Sequence, residues 1–531
     1  MSLNKIYNYN FHKITNKKIK IFYDLFLKYL SNELNRVHSE KYKPGEWEIF
    51  IGHWLQCYTR KLVRSFNSKK ESIKNKKQFE EIYICHSSYD FQSLSSQSSW
   101  NNKFNYHVKE INRKKKIKID KLKIFKSHEN SDKNSRKFKS ALKKIYFFFF
   151  KNLFKKYKIV IFNTYLGKFN DFLLQLKFNL IPLIDLPNNF KKNPISKKFR
   201  ENMLLKNFSK IKNFERFKYL LIFHMPSNFL ENYKNLKKFV NKNYPKKTKV
   251  IFNSNESITD DAIKYWIMCQ KVENKSKLLI FEHGLNYGVV NDYYPQYPKI
   301  ELKYSNHIFT WGNTKIKKGI PMFISSKKKF EIIEKKKLIL IFNQCQPDYH
   351  YIENKEYFEK NFNLIKFYKL LDSNIKNDLL IRLHKTNFKP YSRKVILHNL
   401  KINKNFKKIE IDYGKNSISE TLKYSKLLVF LYPSTGFFEA LKNNIPCLML
   451  WKNFKVEINN LAKNDFEYLI KNKIIFTDEE KLTKKINIVW NNVDKWWNEK
   501  KRKNDVKRFK NKYLKYEFNL NNIYIGVKNL I

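Results

Sequence analysis

The sequence predicts an α/β chain with two parallel-sheet domains, preceded by a helical segment and closed by C-terminal helices. Three observations carry this. Residues 17–66 space their apolar side chains at helical intervals. From about residue 156, short apolar runs alternate with helical stretches. A second such series starts at Lys337, after a lysine-rich interruption. The boundaries that follow are 1–150 for a helical, lysine-rich region, 151–325 and 337–480 for the two α/β domains, and 481–531 for helices that pack back.

The first helix carries Ile21, Leu25, Tyr29 and Leu30 at helical spacing, and Pro44-Gly45 interrupts it. The second places Trp47, Phe50, Ile51, Trp54, Leu55 and Tyr58 on one broad face. His53 beside that face reads as a core or interface histidine, and His38 is open to the same reading. Residues 67–150 show weak periodicity. The run Asn112–Lys126 is the best basic patch, and a solvated face accounts for it better than a nucleic-acid arm.

The first α/β series reads as strands at KIVIFN, FKYLLIFH (217–224), KVIFNSN (249–255) and KLLIFEHG (277–284). Asn253-Ser254-Asn255-Glu256 ends one strand, ahead of a helix over Asp260–Val272 whose Ala262, Trp266 and Cys269 face the sheet. Asp260-Asp261 reads as first-turn stabilisation of that helix. Glu282-His283-Gly284 ends the next strand, where open α/β sheets take ligands. Turn chemistry explains the glycine but not the Glu-His pair, which assigns the pair to function. A further strand ends in Trp311-Gly312, and residues 313–336 read as a linker.

The second series runs KLILIFNQ (337–344), a helix around Tyr357–Leu371, DLLIRLHK (378–385), FKKIEIDYG and the helix SISETLKYS. Arg382 and His384 alternate, so both point to one face of their strand. Then comes Leu427–Trp451, with a buried strand, the loop Pro433-Ser434-Thr435-Gly436, a helix over Phe437–Lys442 and a second apolar run. Loop amides, two hydroxyls and the positive end of a helix suit a phosphate, and Glu439 one turn in suits a ribose. An ordinary βα turn with a hydroxyl N-cap has the same local sequence. In the tail, Trp490, Trp496 and Trp497 are available to dock on the sheets.

Composition narrows the class. The net charge of +61 is spread along the whole chain, alongside high Lys, Asn, Ile, Phe and Tyr, a pattern that codon bias explains. Specific nucleic-acid binding is therefore not expected, while peripheral contact with an anionic membrane is compatible with the charge. Five scattered cysteines without a CxxC pair argue against zinc and disulfides and for a reducing compartment. The polar N-terminus carries no secretory signal, and Ile145–Phe154 is too short to span a bilayer. The expected location is cytoplasmic, peripheral at most to the inner face of the membrane.

As an ordered set, the motifs resemble a bacterial family of transferases of surface-carbohydrate and lipopolysaccharide biosynthesis. They are Leu34-Asn35-x-x-His38, Trp47, Gly52-His53-Trp54-Leu55, Asn253–Asn255, Lys264-x-Trp266, His283-Gly284, Tyr287-Gly288, Thr310-Trp311-Gly312, Arg382-Leu383, Ser434-Thr435, Glu439, Pro446 and Trp496-Trp497. The family usually has Gln and Gly flanking its His-Gly pair, where this chain has Glu282 and Leu285, and often Asn where this chain has Pro433. More distant similarity runs to capsule Kdo transferases and CDP-glycerol glycerophosphotransferases. The resemblance implies two Rossmann-like domains of GT-B type and transfer of a sugar from a nucleotide-activated donor to an oligosaccharide or lipid-linked acceptor.

It further implies that Gly284, Arg382, His384, Ser434, Thr435, Gly436 and Glu439 hold the donor. His283 or Glu282, and after them Glu256, would supply the base. No cofactor is expected beyond the nucleotide-sugar substrate, and without a paired-carboxylate motif no metal is expected either. Phosphoryl-alditol transfer from a CDP-alcohol and non-enzymatic polyanion binding are the competing functions.

Overall fold

The structure, a computed structural model, describes residues 9–66, 81–95, 98–113, 121–125, 145–150, 152–183, 186, 189–204, 214–284, 287–290, 299–314, 316–322, 330–342, 362–383, 409–414, 417–431 and 433–530. It is a mixed α/β chain with parallel sheets. Two compact units divide it. The first comprises Met1–His283, Pro298–Ile308 and Tyr524–Ile531, and the second Gly284–Tyr297 and Phe309–Ile523.

In the first unit, helices Tyr9–His38 and Pro44–Phe66 pack on each other. Pro44 opens the second helix at a position whose N–H would be unbonded anyway. All six residues expected on its apolar face are buried, with Trp47, Phe50, Ile51, Leu55 and Tyr58 at 0% exposure and Trp54 at 1%. Their rings meet Phe229, Tyr233 and Tyr265 at centroid separations of 4.7–6.4 Å, within the range of favourable aromatic pairs. His38 is a core histidine, stacked on Tyr233 at 4.0 Å with Nε2 2.9 Å from the Phe229 carbonyl.

Strands β1 (Glu81–Ile84) and β2 (Lys121–Ile124) form a small parallel pair, so part of the basic run Asn112–Lys126 is strand; residues 114–120 and 126 lie outside the described residues. Strands β3 (Ile159–Ile161), β4 (Val250–Asn253) and β5 (Lys277–Phe281) are parallel neighbours. β6 (His307–Thr310) follows in the same order, and the division between the units falls inside it. The helix expected after β4 runs Asp261–Asn274, with Ala262, Trp266 and Cys269 buried.

One expected element is corrected. Residues 217–224 are not a strand but part of helix Phe214–His224. Phe214, Phe217, Leu220, Leu221, Ile222 and Phe223 are all buried. A helix enclosed on every side shows no polar stripe, and a short apolar run then reads the same as a buried strand.

In the second unit, β7 (Gly319–Pro321) precedes a six-stranded sheet of β8 (Lys337–Phe342), β9 (Leu379–Leu383), β10 (Glu410–Asp412), β11 (Ser425–Phe430), β12 (Cys447–Leu450) and β13 (Ile475–Phe476). All its pairings are parallel, in the spatial order β10-β9-β8-β11-β12-β13. The order therefore reverses between β8 and β11, and open parallel sheets bind ligands at the carboxyl ends of strands at such a point. Helices Glu479–Val489, Val493–Trp497 and Lys500–Tyr513 complete this unit, with Trp490, Trp496 and Trp497 buried at 4% exposure each.

Among the described residues no helix is long and apolar enough to cross a membrane.

Candidate functional site

Each unit gathers chemistry at the carboxyl edge of its sheet. In the first, Asn253 and Ser254 knit the strand ends together. Asn253 Nδ2 donates to the Phe162 carbonyl at 3.3 Å, its Oδ1 accepts from the Ser257 amide at 2.8 Å, and Ser254 Oγ donates to the Phe281 carbonyl at 2.7 Å. Both side chains are fully buried and positional. Glu256 opens the four-residue helix Glu256–Thr259, half-buried. At the end of β5, Glu282 is fully buried and His283 half-buried. All three expected catalytic residues thus stand on two adjacent strand ends of one sheet edge.

His283 lies edge-on to the Tyr165 ring, with centroids 5.7 Å apart. Burial pushes its imidazole down to about 4, so it is neutral near pH 7 and able to accept a proton. Tyr165 sits in a loop after β3 where Asn163 (φ 47°), Tyr165 (φ 70°) and Gly167 (φ 92°) are left-handed. Glycine tolerates this at no cost, whereas each of the other two costs about 1–3 kcal/mol, and such strain concentrates at functional edges.

Below that edge lies a buried polar cluster that the sequence left unassigned. Asp260, expected in the first turn, is instead the N-cap of helix Asp261–Asn274, its Oδ1 accepting from the Ala262 and Ile263 amides at 2.8 and 3.1 Å. Asp261 does something else. Its carboxylate accepts from the Ser88 hydroxyl (2.6 Å), the Ser88 amide (3.1 Å) and Asn228 Nδ2 (3.0 Å), and pairs with Lys264 Nζ at 2.8 Å. Burial alone would raise its carboxyl, but Lys264 and these donors outweigh burial and hold it below its usual value. His53 belongs to the same neighbourhood. Burial first, then the Lys264 and Arg60 charges, drive it down to about 3. Lys192 donates to Asn228 Oδ1 at 3.1 Å, and burial lowers its ammonium to about 8.

In the second unit the segment after β11 stands where the strand order reverses. Ser434 N-caps helix Thr435–Lys442, its Oγ accepting from the Phe437 amide at 3.4 Å. A capping hydroxyl uses a lone pair and keeps its proton for a ligand. Thr435, Gly436 and Glu439 are half-buried on the first turns, while Gly284, the first residue counted with this unit, is buried. A Cβ on Gly436 would lie 3.1 Å from the Phe430 ring, so a side chain there would crowd the strand end.

Arg382, expected to hold the donor, stands on β9. It is nearly buried on β9, and its Nη1 pairs with the Asp412 carboxylate on β10 and donates to the Thr421 hydroxyl. A neighbouring strand thus engages part of its guanidinium. His384 lies outside the described residues.

Glu457 was missed by sequence reasoning. It follows β12, is 8% exposed, and accepts from Trp451 Nε1 at 2.6 Å. Burial raises its carboxyl to about 7, poised to exchange a proton near neutrality. No local spacing announces it, since the burial that raises its carboxyl comes only with folding. Among the described residues no three His, Cys, Asp or Glu side chains gather as a metal-ion site.

The profile of the LIC12162 family transferases matches residues 8–524, nearly the whole chain. The chain belongs to this family. It is thus a transferase by family, and both sheet edges lie inside the matched span. No curated protein matches the chain.

Proposed function

We propose that this transferase moves a glycosyl group from a nucleotide-activated sugar to a surface-polysaccharide or lipid-linked acceptor, using two Rossmann-like units of GT-B type. The single observation that carries the reading is the Pro433–Gly436 loop. It runs into the first turn of helix Thr435–Lys442, at the point where the strand order of a parallel sheet reverses, the position at which such sheets bind nucleotides.

In this reading the second unit holds the donor. Loop amides, the Ser434 and Thr435 hydroxyls and the helix N-terminus receive the phosphate, Glu439 the ribose, and Gly284 and Gly436 allow close approach. Arg382 and His384 are the further residues assigned to the donor. The first unit supplies the base. His283 or Glu282, with Glu256 as the second choice, takes the proton of the acceptor hydroxyl while its oxygen bonds to the anomeric carbon. The bond from that carbon to the donor phosphate breaks, and the electron pair leaves with the nucleotide. Charge developing on the leaving phosphate is met by fixed dipoles. We take the transfer to be metal-independent and cytoplasmic.

A thermal-shift screen against CMP, CDP, UDP, GDP and their sugars tests this, because a ligand that binds only the folded state raises its melting temperature. One nucleotide should stabilise the wild type and not Glu439→Ala. Stabilisation by CDP-glycerol but by no nucleotide sugar would move the reading to phosphoryl-alditol transfer. Salt-sensitive polyanion binding without any nucleotide response would overturn both.

A further inference from the structure

We infer that one face of the first unit docks on an anionic lipid bilayer, through an exposed aromatic patch formed by helical residues 145–150 and 152–154 and helix Lys168–Lys177. The first helix is apolar on two opposite sides. Its inner side, Tyr146, Phe147 and Phe150, packs on the fully buried Phe154, with ring centroids 5.8–6.1 Å apart. Its outer side should then be polar. Instead it presents Ile145, Phe148, Phe149 and Leu153, with Phe148 76% and Phe149 74% exposed.

The neighbouring helix repeats the pattern with Phe169, 70% exposed, and with Phe172 and Leu176. The two are tied together, since Tyr146 donates to the Pro182 carbonyl at 2.7 Å and Pro182 lines a cavity of about 460 Å³ with Phe169 and Phe172. Isolated exposed apolar residues are unremarkable, but exposed aromatics repeated along one side of two linked helices mark an interaction surface.

Charge and aromatics together point to the occupant. From Ile145 to Leu183 the chain carries six lysines and one acidic residue, Asp171. The Asp171 carboxylate turns inward to the Thr164 amide and hydroxyl. Exposed Lys156, Lys158, Lys168 and Lys177 flank the aromatics, and the Lys249 amide bonds to the Lys158 carbonyl at 2.7 Å, which brings Lys246, Lys247 and Lys249 alongside. Aromatic side chains ringed by lysines match the acyl boundary and anionic headgroups of a bilayer. The inference deepens the transferase reading by placing a lipid-linked acceptor at that surface. Its test uses lipid alone, so its failure would leave the donor reading standing.

The test is flotation of the full chain with phosphatidylcholine vesicles, with and without phosphatidylglycerol. The wild type should float with the anionic vesicles and remain behind with neutral ones. Phe148→Ser/Phe149→Ser should lower anionic-vesicle binding about tenfold or more. Lys156→Glu/Lys158→Glu should lower it by a similar factor and flatten its salt dependence. Unchanged melting temperatures would show that both variants fold. If the double Phe variant does not fold, Phe169→Ser replaces it, with a loss of a few fold expected. Equal binding to neutral and anionic vesicles, wild-type binding by the Phe variants, or lipid-free self-association that the Phe variants abolish would each overturn the inference.

Discussion

The two sheet edges solve different chemical problems with different materials. The first unit's edge is built from titratable side chains whose burial pulls imidazoles down and keeps them neutral, His283 at about 4 and His53 at about 3. The second unit's described edge is built from backbone amides, capping hydroxyls and a helix end, with its arginine tied to Asp412. Proton transfer needs a group that changes charge, and burial tunes when it does so. Holding a phosphate needs fixed dipoles that do not change at all. This comparison is the ground on which we propose the catalytic base for the first unit and the donor site for the second.

The largest expected effect breaks the comparison at its strongest point. His283→Ala should lower turnover by about 10²–10⁴-fold, the usual contribution of a general base, while leaving the melting temperature intact. Full activity in that variant would remove the first unit's edge from the chemistry. The acid limb of the wild-type rate profile should fall near pH 4, following His283, rather than near the 6.5 of a free imidazole.

Next in size is the buried pair beneath that edge. Asp261→Ala leaves Lys264 charged and without its carboxylate in the core, which should cost about 3–5 kcal/mol of stability by denaturant unfolding. A loss below about 1 kcal/mol would mean that water already reaches the pair.

Acid and base should act on the two units with opposite sign. His38 and His283 have folded values near 4, and His53 and His224 near 3, all below the value of about 6.5 in an unfolded chain. Their contribution is complete above about pH 6.5 and is lost as pH falls toward 4, because only the unfolded state takes up the protons. Glu457, raised to about 7, does the reverse. Its contribution is complete below about pH 4.3 and is lost as pH rises through 7, a swing of roughly 3 kcal/mol. Melting curves of the wild type and Glu457→Gln across this range separate the two. If the variant keeps the wild-type slope on the alkaline side, Glu457 is not the group responsible.

The smallest effect sharpens the donor side. Ser434→Ala removes an N-cap and should cost about 1 kcal/mol of stability. If Ser434 also donates to a donor phosphate, nucleotide stabilisation should fall in addition. A variant that loses cap stability but keeps the full nucleotide shift would leave Ser434 a cap alone.

Most elements of the fold were legible because their signals are local. The six-residue face of Pro44–Phe66, the helix after β4 and the strand-loop-helix over Leu427–Lys442 each follow from spacing and turn chemistry within a few residues. Helix Phe214–His224 was not, because a segment buried on all sides loses the polar stripe that marks its period.

For the site, the sequence determined by itself which residue types end each strand, since a strand's end is a local event. Only the tertiary structure decided the spatial order of the strands, which puts the Pro433–Gly436 loop where the sheet reverses. It also decided that Arg382 meets Asp412 and Thr421, that Asp261 and Lys264 share a buried cluster with Ser88 and Asn228, and that Glu457 holds its proton near neutrality. The first two depend on partners far apart in the chain, and the state of Glu457 on exclusion of water, and neither is written in any local pattern.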